Sequence, residues 1–469
     1  MYSFLLSIIA LILGYVIYGK IVENIFGANT NKETPAHSME DGVDYVPLDW
    51  KKAFLIQFLN IAGLGPIFGA VAGALWGPAA FLWIVFGCIF AGAVHDYLSG
   101  MLSVRHDGAS IAEIVGIYLG KYAKNIMRVF SVLLLILVGV VFVNGPASIL
   151  TNMTGINQFI WVGIIIVYYL VATVLPIDKL IAKIYPLFGA SLLIMGFGIG
   201  AGLLIKGYHI PEVSFVNFHP KGTAIFPFLF ITIACGAISG FHATQSPMMA
   251  RCLKNEKEGR RVFYGSMIAE GIIALIWAAA AMSFFGGTEG LLAAGSPGVV
   301  VNTISNSVLG KVGGILAIFG VVACPITSGD TAFRSARLSI ADAFKIKQTK
   351  SSSRFYIAIP LFAVGIALCF IDFTIIWRYF AWSNQTLATI ALWTGAVYLV
   401  NENKFHWIAT IPATFMTSVI ISYILMAPEG FSMPSKISYI IGIISAISVF
   451  IFFIAKTSNN KKVVREASM

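Results

Sequence analysis

Charge is scarce in this chain. Asp, Glu, Lys and Arg make up 11% of 469 residues, where a soluble domain carries roughly 25%. With 58% hydrophobic residues and a mean hydropathy of +0.86, a soluble globular protein is excluded. Cysteine is sparse as well. Cys88, Cys235, Cys252, Cys324 and Cys369 are scattered, with no Cys-x-x-Cys pair and no zinc-ligand spacing, so no disulfide framework or structural zinc site is indicated. Four of them lie in apolar runs and read as small core residues. The chain also lacks His-Glu-x-x-His, Gly-x-Ser-x-Gly and a phosphate loop. Those absences argue against an intramembrane enzyme and against ATP-driven transport by this chain alone. The net charge of +10 does not signal a nucleic-acid partner, because the basic residues sit in short loops between apolar spans.

What remains is a polytopic membrane protein whose solvent is the lipid bilayer. Crossing the hydrocarbon takes about 20 apolar residues. Thirteen spans are legible, at 2–25, 53–76, 78–103, 126–149, 158–176, 183–205, 223–249, 262–285, 310–333, 355–372, 374–400, 405–427 and 437–456. Residues 2–19 have no positive flank before them and no cleavage site, so they read as a retained first helix. Threading the spans with the amino terminus outside and the carboxyl terminus inside leaves only Lys206, Lys221, Lys311, Arg378 and Lys436 on the outer side, of 31 Lys and Arg. The positive-inside rule predicts such a bias, and a missed helix would scramble it. The outer loop 286–309 is expected to hold a re-entrant or surface helix, and the tail 457–469 to be disordered.

Two spans are broken at their centres by small residues. The first reads Asn60-Ile61-Ala62-Gly63-Leu64-Gly65-Pro66, and the second runs from Ala234 through Gly236, Ser239, Gly240 and His242 to Gln245-Ser246-Pro247. A break inside lipid frees backbone groups that water cannot reach, and it is tolerated only where protein or a cavity surrounds it. Two such breaks in matching places point to a transporter binding site. Proline suits the first turn of a helix, so half-helices are expected to start at Gly65-Pro66 and at Ser246-Pro247, with Ser246 as the cap. Both positive dipole ends would then face one central region, where a substrate carboxylate fits. The carbonyls near Ala62, Gly63 and Ser239 suit a cation or an amine. The competing reading takes Gly69-x-x-x-Gly73 and Gly236-x-x-x-Gly240 as packing motifs.

Leaving the first helix aside, five spans (53–205) begin with one break and the next five (223–400) with the other. An odd number of spans per unit makes the two units opposite in topology. The division is an extra helix at 1–26, a cytoplasmic linker at 27–52, the two five-helix units, two closing helices within 405–456, and a cytoplasmic tail at 457–469.

Further polar groups lie within the spans. Thr327, Ser328, Asp330 and Thr331 offer oxygen ligands for a hard cation such as sodium, while Asp330 and Arg334 can instead pair on one helix face. His95, Asp96, His242 and Glu270 are costly inside a membrane and often mark ion or proton paths. Of these, His242 lies beside a break and titrates near neutral pH. Asn384, with Ser383, Gln385 and Thr386, serves either to bind across to a broken helix or to glue helices together.

Several stretches resemble the carbon starvation protein A family. They are Thr34-Pro35-Ala36, Asp41-Gly42-Val43-Asp44-Tyr45-Val46-Pro47, Ile61-Ala62-Gly63-Leu64-Gly65-Pro66-Ile67, Val94-His95-Asp96-Tyr97, Ser103-Val104-Arg105 and Gly236-Ala237-Ile238-Ser239-Gly240-Phe241-His242. The resemblance implies a bacterial cytoplasmic-membrane transporter with a LeuT-like core of five plus five helices. It also implies uptake of peptides or pyruvate. The chain departs from the larger members at Ile56-Gln57, where those carry paired histidines, and at Ala243-Thr244-Gln245-Ser246-Pro247. The expected function is a secondary active importer with no cofactor beyond a coupling proton or sodium ion. Its substrate-binding residues are Ala62, Gly63, Gly65, Gly236, Ser239, Gly240, His242, Gln245 and Asn384. The cation is placed near Ala62, Gly65, Thr327, Ser328, Asp330 and Thr331, or at His95, Asp96, His242 and Glu270. An uncoupled facilitator or channel and a nutrient sensor are the alternatives.

Overall fold

The computed structural model describes residues 1–42, 44–173, 178–346 and 351–467. Parts of the expected span 158–176 and the end of the tail lie outside the described residues. Among these residues the only extended pairing is a single bridge between Leu48 and Leu253; everything else regular is helical. The helices are α1 (Tyr2–Phe26), α2 (Trp50–Ile61), α3 (Gly65–Trp76), α4 (Ala79–Arg105), α5 (Ile111–Leu119), α6 (Lys121–Thr154), α7 (Gln158–Ala172), α8 (Leu187–Ile205), α9 (Phe228–Thr232), α10 (Gly240–Ala250), α11 (Glu256–Phe284), α12 (Pro297–Ala341), α13 (Ser352–Cys369), α14 (Phe373–Asn401), α15 (Trp407–Met426) and α16 (Ser435–Thr457).

Nine of these are long and apolar enough to cross a membrane, and the bent pair α2–α3 makes a tenth. Three more fill the remaining expected spans. They are the 15-residue α7, the interrupted pair α9–α10 and the polar-lined α14. Local signals set several starts. Ser110 accepts from Glu113 N–H in a Ser-x-x-Glu box at α5, Asn157 accepts from Phe159 N–H at α7, and Asp372 accepts from Thr374 N–H at α14. The loop 286–309 is helical in two pieces, Thr288–Ala293 and the start of α12, which breaks at Gly310 (φ 62°, ψ −148°) where the expected span begins. The last helix continues to Ala467, so the tail is not the disordered segment the sequence predicts. No Gly or Pro interrupts residues 457–467.

The packing repeats across a pseudo-twofold relation. α3, the second half of the first broken span, packs on α11. Reciprocally, α10, the second half of the second broken span, packs on α4. The third helix of each unit, α6 and α12, packs against its counterpart. α8 lies on α12 as α14 lies on α6. Each contact maps onto another when the two units are exchanged, as an inverted repeat requires. α4 and α11 sit inside, with 83% of their apolar windows buried. α1 and α16, at 22%, turn apolar faces outward, where lipid rather than water is the suitable neighbour.

The two ends of the bundle differ. At one end Glu212, from the connection after α8, accepts from the amides of Tyr2 and Ser3 and from the Met1 ammonium. The ammonium and Ser3 hold its carboxyl down to about 2. At the other end the segment 27–50 is docked. Arg105 makes a two-point contact with Glu256 (3.1 Å for each), donates to Tyr398 and to the Gly27 carbonyl, and lies 4.1 Å from the Phe26 ring centroid. Asn29 N–H donates to Glu256, the Thr34 hydroxyl to the Lys254 carbonyl, and Leu48 N–H to the Cys252 carbonyl.

Glu256 is 1% exposed. Removing one partner of a buried pair strands the other charge, at a cost of about 3–5 kcal/mol. Glu256→Gln is therefore expected to lower the thermal midpoint in detergent by several degrees and to expose 27–50 to protease. An unchanged midpoint with an intact segment would contradict the docking described.

Candidate functional site

The breaks lie at the centre of the fold and touch. α2 ends at Ala62 (φ −82°, ψ 51°). α3 starts at Gly65 with Pro66 in its first turn, and the two halves are bent by 50°. α9 ends at Ile233 (φ −89°, ψ 77°), and α10 starts at Gly240 after an extended Ser239 (φ −146°, ψ 120°). A Cβ at Gly65 would run into the Cβ and Sγ of Cys235, and one at Gly240 into the backbone carbonyl of Asn384. Only glycine permits these approaches. The halves that start at Gly65 and Gly240 thus begin at a shared crossing, as the sequence predicts for the first.

For the second, the sequence-predicted start at Ser246-Pro247 is wrong. Both residues lie inside α10, and so do His242 and Gln245. Pro247 has no N–H for the Ala243 carbonyl one turn back, and in the same turn the hydroxyls of Thr244 and Ser246 bond the neighbouring carbonyls of Phe241 and His242 (2.7 and 2.9 Å). The cap of α10 comes from another helix. Asn384 Oδ1 on α14 accepts from Phe241 N–H (2.7 Å) and from the Ser239 hydroxyl (3.1 Å). The freed carbonyls find partners too. Trp83 Nε1 on α4 donates to Ile233 (3.1 Å), and Gln385 donates to Phe230.

Behind the second break runs a row of fully buried ionisable groups from three helices. His95 Nδ1 lies 2.8 Å from Asp96 Oδ1, both on α4. Asp96 Oδ2 lies 2.8 Å from His242 Nδ1 on α10, and His242 Nε2 lies 3.3 Å from Glu270 Oε2 on α11. Asp96 accepts from Nδ1 and so leaves Nε2 facing Glu270. Cys235 closes the row. Its Sγ lies within 4.8 Å of the ligand atoms of His242 and Glu270, and Asn384 Nδ2 approaches it as a donor at 3.4 Å. Such a row can hold a cation, either as a proton shared among the imidazoles and carboxylates or as an ion on Nε2.

The structure therefore brings His95, Asp96, His242, Glu270, Ser239 and Asn384 together. Gln245 is buried, with its amide donating to Thr244. Gly63 and Gly236 pack against Phe142 and Ala274. The α12 residues form a separate group. Thr327 and Thr331 hydroxyls bond carbonyls of their own helix, Arg334 donates to Asp330 (3.3 Å), and the buried Ser328 hydroxyl has no partner. Phe142 stands between Gly63 of the first break and Gly329 of α12. Sequence reasoning missed Cys235, Trp83, Phe142 and Tyr169, whose hydroxyl lies against Gly329. Only Cys235 carried a signal, as it falls within the second break.

Two broken helices crossing at the centre of reciprocal five-helix units define the class: a multi-pass membrane protein with the LeuT-type transporter fold. Solved structures agree. Inward-facing Mhp1 superposes with a TM-score of 0.53 at 16% identity, covering 88% of this chain and 91% of that one. MhsT in complex with L-phenylalanine gives 0.53 at 14% identity over 85% and 97%. The family model described as Carbon starvation protein CstA matches residues 1–155, 143–287 and 278–423, and the chain belongs to that family. A membrane protein of Haemophilus influenzae is 45% identical over 63% of this chain and 94% of its own length. The peptide transporter CstA of Bacillus subtilis is 26% identical over 97% of this chain and 96% of its own length. That of Escherichia coli is 28% identical over 58% of this chain, and the match spans only 48% of its length.

Overpacking a core position costs about 1–3 kcal/mol. Gly65→Ala is expected to lower stability by that order through Cys235, and Cys235→Gly to restore part of the loss. Thermal unfolding of the single and double variants checks this; strictly additive effects would mean that the two breaks do not touch.

Proposed function

We propose that the chain is a secondary active transporter that imports a small nutrient bearing a carboxylate, a peptide or a pyruvate-like acid, by alternating access. The observation that carries this reading is the contact of the two breaks, Gly65 against Cys235. Half-helix amino termini at one central point turn the positive ends of two dipoles toward an anion. The relatives named peptide transporters supply the substrate class. The driving ion is a proton or sodium. The orphaned Ser328 hydroxyl and the Ala62 break are the proposed sodium ligands. Loop charge supports a bacterial cytoplasmic-membrane orientation with 27–50 inside, since Lys51, Lys52, Arg105, Arg251 and Lys404 lie in or beside that end.

The test is uptake in proteoliposomes. Accumulation of dipeptide or pyruvate should collapse with the proton or the sodium gradient, whichever drives it. Uptake indifferent to both would make the protein a facilitator, and tight binding without counterflow would make it a sensor. His242 joins α4 and α11 through Asp96 and Glu270. His242→Ala is expected to abolish accumulation at an unchanged level of inserted protein, and normal concentrative uptake by that variant would sink its role.

A further inference from the structure

We propose that His242 Nε2, Glu270 and Cys235 Sγ form a binding site for a divalent transition-metal ion of the zinc type, beside the second break. Three features point there. First, the donor atoms lie mutually within 4.8 Å. Zinc bonds of about 2.0–2.3 Å place tetrahedral ligands roughly 3.5 Å apart, so contraction by about an ångström closes the set. Glu270 retains a buried oxygen, Oε1, with no hydrogen-bond partner.

Second, the surroundings are those of a ligand set. A metal-binding histidine commonly gives its other ring N–H to a carboxylate, which fixes the tautomer. Asp96 does this for His242 at 2.8 Å, and His95 in turn holds Asp96 at 2.8 Å. The Asn384 amide donor aimed at Cys235 Sγ favours the sulfur as an acceptor, the form in which it ligates. Third, charge balance favours a dication. Asp96 is held by His95 and His242, whereas Glu270 is 0% exposed with Oε1 unpartnered, and buried charges persist only when paired or coordinated. One dication at Nε2 offsets the Glu270 carboxylate and the thiolate together. A thiolate, an imidazole and one carboxylate select zinc-like ions over sodium, magnesium or calcium, which take oxygen ligands.

Cobalt(II) is the probe. The full chain, expressed in cobalt-supplemented medium and purified without chelator, should carry one cobalt per chain by elemental analysis. It should also show a sulfur-to-cobalt charge-transfer band. Cys235→Ser, a small change that keeps the fold, should remove the charge-transfer band, and Glu270→Gln should lower occupancy. Cys369→Ala, at the end of α13, should change neither. Asp96→Asn should keep the band but weaken affinity by about 10–100-fold in chelator competition. Cobalt-free wild-type protein, or an undiminished band in folded Cys235→Ser, would overturn the site.

Discussion

A peptide backbone opened inside an apolar bundle must find hydrogen-bond partners from protein, and the rest of this structure is arranged around that requirement. Each break frees carbonyls and amides that would cost several kcal/mol apiece if left bare in lipid. Trp83 from the second helix of one unit, and Asn384 and Gln385 from the last helix of the other, supply the bonds at the second break. That demand explains why polar side chains persist in α14, a span otherwise apolar. It also explains why α4 and α11 are the most enclosed helices: they stand directly behind the two crossing half-helices.

The fold was largely legible because membrane spans announce themselves by length and hydropathy, and because loop charge checks their number. The first break was legible to the residue, since Gly65-Pro66 is a local instruction that holds wherever the helix lies. The second misled because its instruction is not local. Ser246-Pro247 has the look of a start, yet the helix passes through it from Gly240 to Ala250. The true start at Gly240 is capped by Asn384, 143 residues from the amide it serves.

The candidate site was legible in its members and not in its wiring. His95, Asp96, His242 and Glu270 stand out as ionisable groups in apolar sequence. Nothing in their spacing says that His242 sits between Asp96, 146 residues away, and Glu270. Cys235 was set aside for lack of a zinc-ligand spacing. That test looks for ligands on one short loop, whereas these come from a break and from two helices meeting behind it. On α12 the Thr327 and Thr331 hydroxyls donate to carbonyls of their own helix, and Asp330 takes the pairing with Arg334 that their spacing of four allowed.

The segment 27–50 looks from its sequence like a passive connection between the first helix and the repeat. Its bonds run to the end of α4 at Arg105, to the turn between α10 and α11 at Cys252, Lys254 and Glu256, and then directly into α2 at Trp50. It is therefore a strap with three fixed points, one on each unit and one at the entry of the first broken helix. A strap of this kind removes degrees of freedom. At that end of the bundle, α2 cannot swing away from α10 without stretching or releasing the chain that joins them, so the ends of the two broken helices there move as one body.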